Sequence, residues 1–410
     1  MERAVITGMG VVAPIGNSLD EFEKNLFAGR HGIVPIDRFD TDDMAVKVFA
    51  PVRGLDASAL SGNQARRLDP YCLFGILAAR QAIDQSGVRG VVDPYRFAVY
   101  MASSAGGVTT FESESENLRQ NGPRRISPMM IPKWIPNMVA GVVSIDAGAR
   151  GPSVGHNAAC ASSAVSIGEG LRAIRHGYVD VAVCGGAEAV VQKVVMAGFQ
   201  NLRALSPASD PDRASIPFDR ERRGFVMGEG AAAVVLESAS HARARGATIY
   251  GEVSGYGITS DAFHITAPCE DGAAVDRAVD DALQEAGPAR SDAGEGSVYV
   301  NAHGTGTVKN DQLEAAVIAR KFGGRALVSA TKSMTGHMMG AAGAVEVVAS
   351  VLALRAGLVP PTVGIRELDP AVQVTVVRDV ARAAPLTRAV SLSLGFGGHN
   401  VCLVIDPVED

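Results

Sequence analysis

Residues 151–177, GPSVGHNAACASSAVSIGEGLRAIRHG, and residues 326–357, ALVSATKSMTGHMMGAAGAVEVVASVLALRAG, follow one plan. A strand-like stretch enters a corner of small residues, and a buried-looking helix leaves it. In the first copy Ala164, Ile167, Leu171 and Ile174 recur at helical spacing and Gly177 ends the run. In the second, Ala344, Val347, Val351 and Leu354 recur and Gly357 is the stop. Both helices open on Ala, Ser and Gly, which allow close helix approach. They therefore read as central elements packed against each other between sheets. The preferred reading is an ancient duplication with a boundary near Gly246, giving halves 1–245 and 246–410; two unrelated α/β units are the alternative.

Outward from these corners, short β-branched runs alternate with helical patterns: AVITGMG, RFAVYMAS, DVAVCGG, IYGEVSGYG, SVYVNAHG and AVSLSLGFGG. That alternation predicts an α/β protein. The 410 residues are 47% hydrophobic and 20% charged, which excludes a disordered chain. A net charge of −6 gives no footprint for nonspecific binding to nucleic acid or an anionic membrane, so any basic docking patch must be local. The N-terminus has no basic region before its apolar stretch, and no segment reads as a membrane span, so the expected location is the cytoplasm. Five widely spaced cysteines support neither a disulfide framework nor a zinc site, and they are expected to be buried filler except at one position.

That position is Cys160, where an expected strand HNAA meets the first turn of the following helix. The helix dipole and unpaired backbone N–H groups there favour thiolate, which suits a nucleophile. An inert buried thiol is the competing reading. His31, His176 and His241 stand in polar loop or helix-end contexts and read as solvated. His303 ends the strand VYVNA, and His337 occupies in the second half the corner that Cys160 occupies in the first. Pseudo-symmetry would set Cys160 and His337 face to face, bringing a nucleophile and acid/base groups together. Spacing excludes a metal site, because no HExxH, CxxC or carboxylate cluster unites these residues. GFGGHN at 395–400 lacks a phosphate-loop fingerprint and precedes a strand; it reads as a tight backbone approach to the site.

With AACASS around Cys160, NAHGTGT around His303, KSMTGH ending at His337 and GAAGAVE carrying Glu346, the chain resembles the β-ketoacyl-carrier-protein synthases, condensing enzymes of the thiolase superfamily. The similarity runs from VITGMGVVAPIG to GFGGHN, with the motifs in the family's order. It implies a thiolase-like duplicated fold in five layers, α-β-α-β-α. It also implies that Cys160 takes an acyl chain as a thioester, with the oxyanion held by the N–H groups of Cys160 and Phe396. His303 and His337 would promote decarboxylation of a malonyl extender and stabilise the enolate, and Lys332 would pair with Glu346 in a structural or a catalytic role. Thr305 and Thr307 match positions that bind the phosphopantetheine arm of the carrier, which is a substrate; no permanently bound cofactor is expected. Arg66, Arg67, Arg124, Arg125 and Arg203 match positions that dock an acidic acyl carrier protein. Phe111, Met130, Ile131 and Trp134 match an acyl-pocket wall near a dimer interface, with ordinary interface core as the alternative for the two rings.

Within the family, GTGTVKND resembles the ketosynthase subunit of type II polyketide or polyene systems, closest to subunits that pair with a chain-length factor. SLSLGFGG departs from the usual SNSFGFGG, and GFGGHN resembles fatty-acid synthases. The leaning is toward a polyketide ketosynthase, with a fatty-acid elongating synthase II as the alternative and homodimer or heterodimer left open. A silent chain-length-factor-like subunit is disfavoured because it lacks the nucleophile Cys160. A thiolase would carry a second cysteine at the site, and a coenzyme A starter synthase would have Asn in place of the second His.

Overall fold

The computed structural model describes residues 2–58, 60, 62–289 and 296–408. The strands that position the site are β1 (Ala4–Val12), β2 (Phe97–Ala102), β3 (Ser153–Val154), β4 (Val181–Glu188), β5 (Gly230–Ser238), β6 (Gly251–Ser260), β7 (Ser297–Asn301), β8 (Ala326–Ser329), β9 (Thr375–Val376), β10 (Leu386–Gly395) and β11 (His399–Asp406). The helices that matter are α1 (Pro70–Ser86), α2 (Val108–Asn121), α3 (Met130–Trp134), α4 (Met138–Ala147), α5 (Ser162–Arg175), α6 (Ala273–Ala286), α7 (Val308–Phe322) and α8 (Ala342–Ala356). All six strands expected from the sequence are present.

The sheet order β9-β8-β7-β10-β11-β6-β1-β5-β4-β2-β3 contains one arrangement twice. In the N-terminal half β3, β2 and β4 run parallel and β5 and β1 antiparallel; in the C-terminal half β8, β7 and β10 run parallel and β11 and β6 antiparallel. The two half-sheets join through β1 and β6, where Ala4 faces Val253 and Ile6 faces Gly251. Helices α5 and α8 pack together between the half-sheets, with α1 and α4 outside the first and α6 and α7 outside the second. This is the five-layered α-β-α-β-α arrangement, with its two β layers hydrogen-bonded into one sheet. Because helices cover both faces, β4 and β5 are buried along their whole length and read as continuous apolar runs.

The small residues at the helix openings do what the sequence suggested. A Cβ added to Gly343 of α8 would come 2.8 Å from the Cβ of Ala164 on α5, so the two helices are already in backbone-limited contact. Every residue of α8 from Ala342 to Ala353 is buried. This corrects the expectation that no segment is long and apolar enough to cross a bilayer. Met339–Ala356 spans 18 residues and meets that test, but its apolarity comes from being the innermost helix of the protein. The first strand also differs: HNAA is not part of a strand. β3 ends at Val154, and Cys160 lies in a single 3-10 turn, Ala159–Ala161, that leads into α5.

Candidate active site

Cys160 is 6% exposed, and its sulfur lies 3.1 Å from Nε2 of His337. The backbone N–H of Phe396 and that of Cys160 both reach the sulfur. Phe396 gets there because the β10–β11 turn is made of glycines. Gly397 and Gly398 adopt φ of +92° and +75°, and a Cβ on Gly395 would stand 2.5 Å from the Ala158 carbonyl oxygen. The reading of GFGGHN as a close backbone approach is therefore met.

His337 is fixed by a bridge to the N-terminal half. Its N–H donates to the Val226 carbonyl at 2.7 Å, and its carbonyl accepts from Gly228 at 2.9 Å. Its Nδ1 accepts from the N–H of Met339 at 3.3 Å, which leaves the proton on Nε2, facing the sulfur. His303 stands edge-on to His337, with ring centroids 5.4 Å apart. Nζ of Lys332 lies 3.4 Å from its Nδ1, so a donating Lys332 again leaves Nε2–H free to donate. Burial first, and the Lys332 charge second, hold both imidazoles well below the ordinary histidine range, so both are neutral. Lys332 and Glu346 form a fully buried ion pair, and burial pushes the Glu346 carboxyl up to about 7.

The thiol differs from expectation. Burial outweighs the helix terminus, the Lys332 charge and the two N–H groups, and pushes Cys160 up to about 11. The helix-end position gives the sulfur donors, but burial keeps it protonated in the resting protein.

Cys160, His303, His337, Thr305, Thr307 and Phe396 line one chamber, whose apolar wall is Phe199, Phe225, Met339 and Leu394. The Thr305 and Thr307 hydroxyls are 3.0 Å apart. Arg66, Arg67, Arg124, Arg125 and Arg203 are all exposed. Phe111, Met130, Ile131 and Trp134 are not brought to this chamber. Phe111 and Trp134 meet at a tilt of 33°, centroids 5.0 Å apart, and remain 43% and 36% exposed on α2 and α3. Helix α2 has no buried residue, so these rings lie on an open face.

Other expectations also shift. Cys269 is half-exposed, not buried filler, whereas Cys184 and Cys402 are buried in β4 and β11. His241 is bound to the buried carboxylate of Glu237.

The sequence reading missed three residues that shape the site. Glu314, three residues beyond the Asp311 of GTGTVKND, accepts the N–H groups of His303 at 2.5 Å and Gly304 at 2.8 Å, and burial pushes it up to about 8. An acid in the second turn of a helix that follows a glycine-rich loop was the available signal. Phe225 presents its edge to His337 at 5.0 Å, and Met339 lines the chamber with a left-handed φ of +47°. Neither carries a local pattern.

Family comparison agrees with this geometry. The model for the β-ketoacyl synthase N-terminal domain matches residues 1–242, and that for the C-terminal domain matches residues 250–366. The chain belongs to the β-ketoacyl synthase family. It is 42% identical over 408 residues to 3-oxoacyl-[acyl-carrier-protein] synthase 2 of Synechocystis sp., covering 98% of this chain and 97% of that protein. It is 41% identical over 415 residues to the synthase of the same name from Staphylococcus aureus, covering 100% and 99%. Among solved structures, the ishigamide ketosynthase/chain length factor superposes with a TM-score of 0.90 at 33% identity, covering both chains fully. A type II polyketide acyl-carrier protein in complex with its ketosynthase, AntDE:AntF, gives 0.89 at 28% identity, covering 99% of this chain and 100% of that one. This synthase is thus an acyltransferase of the condensing type.

Proposed function

We propose that this synthase elongates an acyl chain carried on an acyl carrier protein, by decarboxylative condensation with a malonyl carrier, as a fatty-acid-type 3-oxoacyl synthase. The observation that carries it is the meeting of Cys160, His337 and the Phe396 N–H at one sulfur, with His303 beside them. The Cys160 sulfur attacks the thioester carbonyl of the acyl carrier, and the oxyanion forms against the N–H groups of Cys160 and Phe396. When that intermediate collapses, the acyl group stays on Cys160 and the thiol proton leaves with the phosphopantetheine sulfur. The malonyl thioester then loses its carboxylate as CO2, and the electron pair of the broken C–C bond enters an enolate. Its oxygen accepts from the Nε2–H groups of the two neutral imidazoles, which is why burial of His303 and His337 serves the chemistry. The enolate carbon attacks the Cys160 thioester, a C–C bond forms and the thiolate departs.

Thr305 and Thr307 would hold the amides of the phosphopantetheine arm. Exposed Arg66, Arg67, Arg124, Arg125 and Arg203 would receive the acidic carrier. On this reading residues 1–245 supply the nucleophile and residues 246–410 the histidines, and the protein works in the cytoplasm. The open face carrying Phe111, Ile131 and Trp134 would be covered by a second subunit, of the same or a related chain, in which those rings and Met130 could reach an acyl pocket. The full-length relatives at 42% and 41% identity support the fatty-acid reading over the polyketide one.

The second reading, a type II polyketide ketosynthase with a chain-length-factor partner, is favoured by GTGTVKND and by the two ketosynthase neighbours. Incubating the purified chain, alone and together with a chain-length-factor subunit, with acyl carrier and excess malonyl carrier, without reductase, separates them by intact mass. A single two-carbon extension supports the elongating synthase, and a poly-β-keto chain that needs a partner subunit supports the polyketide reading. No extension at all would overturn both.

A further inference from the structure

The two corners are equivalent residue by residue. In each, a non-glycine residue in the left-handed region, Ala159 at φ +50° or Met339 at φ +47°, opens a 3-10 turn that leads into the central helix. Asn157 corresponds to His337 and Cys160 to Gly340. His337 thus lies in the expected corner and faces Cys160, but it stands three residues before the position equivalent to Cys160. The correspondence extends to hydrogen bonds, because Asn157 Oδ1 accepts from the N–H of Ala159 at 3.3 Å as His337 Nδ1 does from Met339. The duplication has therefore built two anion-binding corners. In the first, the N–H of Cys160 faces the reacting sulfur; in the second, the N–H of Gly340 faces Glu188.

Glu188, the last residue of β4, is fully buried. One carboxylate oxygen accepts the Ser103 hydroxyl at 2.9 Å and the Ala105 N–H at 3.3 Å. The other accepts the Ser104 N–H at 2.9 Å, the Ser104 hydroxyl and the Gly340 N–H at 3.0 Å. No space is left, since a Cβ on Gly340 would stand 2.7 Å from that oxygen and 2.6 Å from the Ser104 nitrogen. The loop Glu188 grips returns to the nucleophile, because the Ser103 and Ser104 carbonyls both accept from Asn157 Nδ2, at 3.4 and 2.9 Å. The turn it grips runs back through Met339 to His337.

We propose that Glu188 is a positioning residue: its carboxylate fills the second anion corner and, through the Ser103–Ala105 loop and the Met339–Ala341 turn, sets the alignment of His337 with Cys160. A burial-raised carboxyl with no cation bonded to it among the described residues is costly, and what it returns is the joint between the halves. The inference rests on the condensing reading above.

Glu188→Gln keeps the shape but aims an amide donor at N–H and O–H donors. Turnover is scaled to the subunits that can be acylated at Cys160 by intact mass. The expected result is a loss of about tenfold or more in kcat, a change below about twofold in KM for the acyl carrier, and several CO2 released per ketoacyl product where wild type releases one. The uncoupling arises because an enolate formed beside a displaced thioester is quenched. A folded variant that keeps one CO2 per product overturns the proposal whatever its kcat. If Glu188→Gln does not fold, the double variant Ser103→Ala, Ser104→Ala carries the same test with a smaller expected uncoupling. If wild type releases neither CO2 nor product, the condensing reading fails separately. The clamp is then judged by iodoacetamide alkylation of Cys160 in the double variant, expected to slow by about threefold or more; an unchanged rate overturns it.

Discussion

The corner before α5 and the corner before α8 share backbone, turn and helix, yet one carries the sulfur that faces His337 and the other a glycine under a buried carboxylate. The difference teaches that the fold supplies donors at both places, and side chains decide which place does chemistry. At the first corner a thiol stands where N–H groups converge; at the second, Glu188 satisfies the corresponding N–H, while His337, three residues earlier, reaches across to the first. A duplicated scaffold has become one asymmetric site.

The strongest way to break this comparison is to remove the sulfur. Cys160→Ala is expected to abolish acyl loading and cut condensation by about 10³-fold or more, while thermal unfolding moves only a few degrees. Intact mass after exposure to acyl carrier checks it, and an adduct on Cys184 or Cys269 would show that the first corner is not the reactive one. Next in size, His303→Ala and His337→Ala should still accept an acyl group on Cys160 but lose about 10²–10³-fold in decarboxylation of malonyl carrier, because each removes one donor to the enolate oxygen. Loss of acylation with normal decarboxylation would reverse the division of labour between the halves.

Lys332→Met probes what holds His303. It leaves Glu346 buried without its partner and should destabilise the fold by about 3–5 kcal/mol, read from chemical denaturation. Restored stability in Lys332→Met with Glu346→Gln would assign the pair chiefly to structure. The thiol itself sharpens the contrast between donors and water. With its folded value near 11, the thiolate fraction rises with pH throughout the neutral range. Alkylation of Cys160 should therefore climb about tenfold per pH unit from pH 7 to 9, and a plateau there would mean that the helix end outweighs burial. The smallest effect expected is at the surface. Arg66→Glu or Arg124→Glu should slow turnover with carrier-bound substrate by a few-fold, more at low salt, and leave reaction with a small thioester unchanged.

Much of this was legible in the chain. Six strands, two central helices and their glycine stops follow from periodicity, because a strand or helix covered on both faces must be apolar throughout. Cys160, His303, His337 and Phe396 stand at strand ends or helix starts, where backbone donors are free by geometry, and so their motifs are local. The surroundings of Phe111 and Trp134 were not legible, because a large ring in the sequence does not say whether its helix lies against the body or on an open face. The thiolate was misjudged for a related reason. A helix terminus is visible in the sequence, whereas the desolvation that opposes it depends on which residues from elsewhere close over the sulfur.

The sequence by itself determined the order of strands and helices, the duplicated plan and the motifs that carry the candidate site residues, since each depends on neighbours within a few turns of chain. Tertiary structure alone decided how closely His337 approaches the sulfur, that burial is deep enough to keep the imidazoles neutral and the thiol protonated, and that Glu188 closes the second corner. Those outcomes depend on contacts between residues far apart in the chain, as in the Glu188–Gly340 bond with its separation of 152. Their energies come from burial and from donors converging in space, which no local pattern records.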